Sequence, residues 1–213
     1  MDSDVLAAMA RWPDVPDAYG WLSLDARGRW RLHPAGDALA GGPGTSISNP
    51  GILAFISRNY DHDDQGRWFF QNGPQRVFVR LDAAPLVLRQ PDGTGTLCTH
   101  TGHVVTRVDR WALDAAGRLY AATEHGPATI EDRHLPDVLE RMQTASGQPL
   151  LDAAPAWLAD PGPAPDAIPV AYPGVAPATA PLARLHEPAG AAFGFVDRPA
   201  APPPARSVSS GSA

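Results

Sequence analysis

The stretch Cys98-Thr99-His100-Thr101-Gly102-His103 brings a thiol and two imidazoles close together in the chain. Two chemistries use such a set. Zinc takes three or four convergent ligands of the Cys and His type, so a third would have to come from elsewhere, with His125 and Glu124 as candidates. A helix carrying catalytic zinc spaces its pair as His-Glu-x-x-His. Here Thr and Gly stand between the histidines, and the segment reads as a turn with solvated side chains. No metal and no cofactor is expected. The second chemistry is a nucleophile and base, Cys98 with His100 or His103. A reactive thiol needs a neighbouring cation or helix N-terminus to lower its pKa, and the flanking sequence offers neither. A hydrolase-type enzyme using the His100/His103 region is therefore the alternative reading, not the main one.

Other chemical motifs are incomplete. Asp61-His62-Asp63-Asp64-Gln65-Gly66 resembles the start of a calcium loop, with oxygen ligands at alternate positions and Gly sixth. The bidentate Glu needed at the twelfth position is Asn72. Acidic residues capping an exposed hairpin corner explain the same string. Gly41-Gly42-Pro43-Gly44-Thr45-Ser46 has the glycines of a phosphate cradle but lacks the Lys, and reads as a surface loop. Ser46, Ser48 and Ser57 sit in no Gly-x-Ser-x-Gly elbow.

The most suggestive group is Gln71-Asn72-Gly73-Pro74-Gln75-Arg76. Asn72-Gly73 serves a tight turn, but a turn does not need Gln71, Gln75 or Arg76. An arginine on a hairpin stem can grip a carboxylate through two parallel hydrogen bonds, amides can orient the ligand, and Trp68 or Phe70 can floor the site. Trp68, Asn72, Gln75 and Arg76 are thus the expected ligand-binding residues, for a small anionic ligand. The competing reading pairs Arg76 with Asp63 or Asp64 across the turn and keeps the aromatics in the core.

These groups need elements to hold them. Asp-x-x-Gly-Arg followed by an apolar residue occurs at Asp25–Trp30, Asp63–Trp68 and Asp114–Leu119. Asp caps its own backbone at a type I turn, and Gly takes the left-handed position after it. Each copy predicts a hairpin corner that launches a strand. Asn49 is a good N-cap and Pro50 suits the first helical position; Ile52, Phe55, Ile56 and Tyr60 then share one face. A second helix near Leu135–Gln143 aligns Leu135, Val138, Leu139 and Met142. Alternation places strands at Tyr19–Leu24, Trp68–Gln71, Arg76–Leu81, Leu86–Arg89, Leu97–Thr99, His103–Leu113, Leu119–Thr123 and Ala128–Ile130. The expected fold class is α+β, an antiparallel strand-rich domain of hairpins with two short helices. The two halves echo each other in corner, strands and helix, which leaves a diverged duplication open.

Of the 24 prolines 14 follow residue 148, so the chain divides by composition. Residues 1–18 form a lead-in, 19–148 the compact domain, and 149–213 a Pro/Ala-rich linker and largely disordered tail. An apolar island at 191–196 could dock as one added strand. The formal net charge of −6 argues against nucleic-acid binding. All 17 basic residues are arginine, a bias expected of a GC-rich bacterial genome. The amino terminus Met1-Asp2-Ser3-Asp4 is acidic where a secretory signal would be basic, no stretch approaches the roughly 20 apolar residues of a membrane span, and the single Cys98 fits a reducing compartment. A bacterial cytoplasmic protein is expected, without a membrane or nucleic-acid partner.

Residues 25–87 carry a further pattern: Gly28-Arg29-Trp30, Ile47-Ser48-Asn49, Leu53-x-Phe55, Asp64-x-Gly66-x-Trp68, then Asn72-Gly73-Pro74-Gln75-Arg76-Val77 through Leu81-Asp82-x-x-Pro85. This resembles an uncharacterised proteobacterial family known only as a domain of unknown function. It is also similar in motif order to the DUF1285 family, whose Glu-Lys corresponds to Gln75-Arg76 here. The resemblance implies a compact α+β domain of small repeated units and supplies no activity. The functional expectation is a small-ligand or protein-binding module with a regulatory role open to it. A Pro/Ala tail that recruits a protein partner is a further option.

Overall fold

The computed structural model describes residues 1–91, 93–159 and 167–202. Its local organiser is one repeated corner. Asp25 Oδ1 accepts from the backbone N–H of Arg27 and Arg29, both at 3.0 Å, and Gly28 takes φ 71°. Asp63 repeats this with Gln65 and Arg67 at 3.0 Å and Gly66 at φ 72°. Asp114 repeats it with Ala116 and Arg118 at 2.9 and 2.8 Å and Gly117 at φ 77°. One side-chain oxygen satisfies two turn donors, and only Gly adopts the following left-handed residue without strain. The Arg after Gly also has a task in the first two copies. Arg29 Nε and Arg67 Nε return to the second oxygen of their Asp at 2.8 and 2.7 Å. Thr99 builds the same corner with its hydroxyl, which accepts from His103 N–H at 3.0 Å, while Gly102 N–H donates to Thr99 C=O.

All three Asp corners join antiparallel strands, as expected. The first sheet contains β1 (Ala18–Leu24), β2 (Trp30–Leu32), β3 (Thr45–Ser46), β4 (Tyr60–His62), β5 (Trp68–Asn72) and β6 (Gln75–Leu81), in the order β3-β2-β1-β6-β5-β4. The β1–β6 pair is parallel and the others are antiparallel. The second sheet begins with β7 (Leu86–Arg89), β8 (Leu97–Thr99), β9 (Val104–Val105), β10 (Val108–Leu113), β11 (Leu119–Thr123) and β12 (Gly126–Ile130). It is completed by β13 (Gln143–Thr144), β14 (Ala167–Ala171) and β15 (Ala180–Arg184), in the order β13-β14-β15-β10-β11-β12-β7-β8-β9. One continuous apolar cluster joins the two sheets, from Leu24, Val79 and Leu81 to Leu88, Trp111 and Leu119. The α+β, strand-rich class holds, with parallel pairs β10–β15 and β12–β7 inside the otherwise antiparallel second sheet.

The helices are short: α1 (Ser3–Arg11), α2 (Pro50–Arg58), α3 (Leu135–Arg141), α4 (Leu150–Ala153), α5 (Pro155–Ala159) and α6 (Ala189–Phe193). Asn49 Oδ1 caps α2 by accepting from Gly51 and Ile52 N–H at 2.9 and 3.1 Å. Ile56 on α2 and Val138 on α3 are buried.

Three expectations need correction. Residues 167–202 are not a linker. β15 pairs with β10 in the second sheet, and Val170 and Leu182 are fully buried. Pro169 and Pro181 lie opposite each other in the β14–β15 ladder. There they form a pair that exchanges no N–H bonds, so the missing donors break nothing between the two strands. The apolar island does dock, but as α6 followed by a single bridge from Val196 to Arg67, with Phe193 and Phe195 buried. The long strand over His103–Leu113 divides into β9 and β10, because the Glu124 carboxylate draws the intervening Thr106 and Arg107 N–H groups to itself at 2.6 and 3.2 Å. The expected disordered end falls largely on residues 203–213, outside the described residues.

Candidate functional site

An apolar cleft of about 560 Å³ opens between α2 and one end of the first sheet. Its walls come from Trp21, Leu22, Leu32, Ile47, Ile52, Ile56, Phe70 and Val77, and its polar groups are Asn72 and Gln75. Two local features shape it. Gly20 takes φ 81°, and the register of β1 against β6 shifts between Ala18 and Leu22. Successive residues of a regular strand point to opposite faces, but past this kink Trp21 and Leu22 border the same cleft. The apolar stripe of α2 is wider than the core it meets: Ile56 is buried, while Ile52, one turn earlier, stays 49% exposed over the cleft. Trp21 and Leu32 are 47% and 44% exposed.

The residues expected to bind a ligand are divided by this geometry. Asn72 and Gln75 pair across the β5–β6 ladder and line the cleft, and Gln75 Nε2 donates to Pro16 C=O at 3.1 Å. Arg76 is the next residue on β6 and projects from the other face, where its guanidinium lies 4.7 Å above the Phe69 ring. Trp68 is buried between the sheets beside Tyr60, with ring centroids 4.9 Å apart. Arg76 and Trp68 therefore do not meet Asn72 and Gln75 at one site. Strand alternation separates the first, and core packing takes the second.

The histidines also separate. His100 is partly buried, and Val87 N–H donates to its Nδ1 at 3.2 Å, so the proton resides on Nε2. That Nε2 is enclosed without a hydrogen-bond partner, with the Trp30 and Tyr60 rings 5.7 and 6.0 Å away. Burial, helped by the Arg89 charge, lowers its pKa to about 3. Its one ring lone pair, on Nδ1, already accepts from Val87 N–H, so it cannot serve Cys98 as a base. His103 instead faces His125 at 5.2 Å, and both line a small polar cleft of about 150 Å³ with His62 and Tyr60. His125 Nε2 donates to Val104 C=O at 2.9 Å and His62 Nδ1 to Asp63 C=O at 3.1 Å. Burial raises the Tyr60 phenol well above its ordinary pKa. For Glu124 burial alone would raise the carboxyl, but the Thr106 bonds hold it below its ordinary value. Among the described residues no three His, Cys, Asp or Glu side chains converge as a metal ion requires.

A hydrogen-bond chain not legible in the sequence runs beneath the glycine-rich loop. Ser23 Oγ lies 2.8 Å from His33 Nε2, and His33 Nδ1 lies 3.2 Å from Asp37 Oδ1. Asp37 fixes the proton on Nδ1, which makes Nε2 the acceptor for the serine hydroxyl, the arrangement of a hydrolytic triad. Ser23 and His33 are both fully enclosed, so a substrate has no access to the oxygen. The loop explains its own glycines. A Cβ on Gly42 would lie 2.3 Å from Asp37 Oδ2, and one on Gly44 would lie 2.7 Å from His33 Nε2. Arg80 ties down the same loop by donating to Ala38 C=O at 2.8 Å and Gly42 C=O at 3.4 Å.

Among known proteins, residues 1–200 match the family model DUF2944, described as a protein of unknown function (DUF2946). The unknown-function family expected from residues 25–87 is borne out at that level. The chain is similar to a solved DUF1285 family protein from Silicibacter pomeroyi DSS-3, at 18% identity, with 67% of this chain and 86% of that one covered and a TM-score of 0.44. It is also similar to a DUF1285 family protein from Shewanella baltica OS155, at 17% identity, with 55% and 89% covered and a TM-score of 0.38. No curated protein matches the sequence. Among the described residues no helix is long and apolar enough to cross a membrane.

Proposed function

The chain belongs to the DUF2944 family of proteins of unknown function, and we propose that it is a small-ligand-binding module that holds an amphipathic molecule in the cleft beside α2. One observation carries the reading. Three large apolar side chains, Trp21, Leu32 and Ile52, stay close to half exposed around a cleft of about 560 Å³ whose polar groups are two amides. Small-molecule sites have this size and this composition, with an apolar lining and few groups to orient the ligand. Asn72 and Gln75 each offer a donor and an acceptor and no charge. They suit a hydroxyl, amide or carbonyl head better than a carboxylate, with the apolar body against α2.

The test is displacement of an environment-sensitive apolar dye by a series of straight-chain alcohols. Each methylene that enters the cleft is expected to add about 0.8 kcal/mol, or about fourfold in affinity. Ile52→Ser is expected to weaken the whole series. Affinity that is independent of chain length, or untouched by Ile52→Ser, would mean that the cleft takes no such ligand.

A further inference from the structure

Strand register builds a second cleft, on the opposite face of the first sheet. Ser23 of β1 lies opposite Arg31 of β2 on one side and Arg80 of β6 on the other. Two guanidiniums therefore flank one serine in a single row. Asp25 and Asp82 lie two residues further along their chains, on the same side of the sheet. Above this face is a polar cleft of about 580 Å³, closed at one edge by the loop at Gly41–Pro43 and at another by Asp197 and Arg198. The last wall is fixed in place by Leu81 N–H, which donates to Asp197 C=O at 2.8 Å.

The charges do not cancel. Arg29, Arg31, Arg80 and Arg198 meet Asp25, Asp82 and Asp197, which leaves one positive charge in excess on a chain with a formal net charge of −6. Asp25 is shared by Arg29 and Arg31 at 2.8 and 3.2 Å, and Asp82 holds Arg80 at 2.9 Å. Among the described residues the Arg198 guanidinium has no carboxylate partner. Arg80 is about nine-tenths buried, and its Nε has no hydrogen-bond partner. The terminal nitrogens of Arg80 are given to Asp82, Ser23 and the loop carbonyls, so the unmatched cationic groups of the cleft are its Nε and the exposed Arg198 guanidinium, a pair that an oxyanion completes.

We propose that this cleft binds the carboxylate or phosphate group of a small organic molecule, with Arg198 as its principal grip and the charges of Arg80 and Arg31 in support. The glycine-rich loop supplies shape and not donors, because the N–H groups of Gly41 and Gly42 are already given to Ala38 and Asp37 carbonyls. The cleft is several times larger than a bare phosphate ion, so the anionic group is one end of the ligand. This site is independent of the apolar cleft, and neither proposal depends on the other.

Arginine Nε–Hε resonances of the full chain, followed while inorganic phosphate or citrate is added in separate titrations at low salt, test the assignment. Saturable shifts at Arg80 and Arg198 are expected, and they should weaken as salt is raised. Arg198→Gln has no ion pair to break in the free protein and should keep the backbone spectrum, with affinity reduced about tenfold by the loss of one charged fork. A response to phosphate alone identifies a phosphate group, a response to citrate alone a carboxylate. No saturable shift with either anion, or equal affinity in Arg198→Gln, overturns the proposal and leaves a network of structural ion pairs.

Discussion

Gly66 and Gly194 meet backbone to backbone: a Cβ on Gly66 would lie 2.2 Å from the Gly194 carbonyl oxygen. Val196 N–H donates to Gly66 C=O at 2.9 Å across the same contact. The second Asp-x-x-Gly corner is thus both a turn and the platform on which the C-terminal segment rests.

The corners offer an internal control. Gly117 has the same left-handed backbone as Gly66, at φ 77° against 72°, but nothing lies within 4 Å of its added Cβ. Gly117→Ala should cost only the backbone strain, about 1 kcal/mol. Gly66→Ala must also push away a carbonyl, which adds about 1–3 kcal/mol and loosens residues 194–196. Urea unfolding of the two variants compares them directly. Equal destabilisation would show that the Gly66–Gly194 contact carries no weight.

A second contrast lies along α2. Ile56→Ala empties a buried position and should cost about 2–5 kcal/mol. Ile52→Ala removes an exposed side chain on the same stripe and should stay within about 0.5 kcal/mol of the parent. If Ile52→Ala proves as costly as Ile56→Ala, Ile52 is a core residue and the cleft is not an open binding surface.

Those elements whose cause is local are legible in the sequence. An Asp that bonds its own turn and an Asn that caps its own helix need no distant partner, so the corners and the start of α2 stand where residue types put them. Thr99 forms the same corner but hides it behind the neighbouring histidines. The site is less legible. Gln75 and Arg76 are adjacent, and only the packing decides which of the two faces the cleft. Gly20 inside a strand pattern is the one signal that could have pointed to Trp21, because a strand glycine often marks a kink. Composition misleads beyond residue 148, where a few apolar residues, Val170, Leu182 and Tyr172, fill core positions among many prolines. Tyr172 even closes a buried pair by donating to Gly95 C=O at 2.8 Å and accepting from Gln90 at 2.6 Å.

His100 makes stability depend on pH. An imidazole in the unfolded chain protonates near its ordinary value of 6.5, whereas in the folded protein it waits until about pH 3. Between those values the unfolded state binds more protons, so stability is complete above 6.5 and is lost as pH falls. In mid-window this group alone gives a slope approaching about 1.4 kcal/mol per pH unit. Asn at this position can still accept from Val87 N–H but does not titrate. His100→Asn should flatten the dependence between about pH 6 and pH 5 while lowering the plateau, as read from denaturant midpoints. An unchanged slope would place the acid sensitivity on another group.

The enclosed Ser23–His33–Asp37 chain separates architecture from catalysis. Ser23→Ala leaves His33 Nε2 buried without its partner, and Arg80 loses an acceptor at 3.4 Å. An unsatisfied buried group costs about 1–3 kcal/mol. Asp37 is about half exposed, so water can replace its carboxylate, and Asp37→Ala should cost less than Ser23→Ala. The same enclosure predicts that a fluorophosphonate reagent, which phosphonylates accessible triad serines at Oγ with release of fluoride, leaves Ser23 unmodified in the folded protein. Intact-mass measurement reads this directly. Stoichiometric modification that disappears in Ser23→Ala would show that the glycine-rich loop opens and that the serine acts as a nucleophile. Silence toward the reagent, together with the larger stability loss in Ser23→Ala, assigns the chain to holding the loop that borders the arginine cleft.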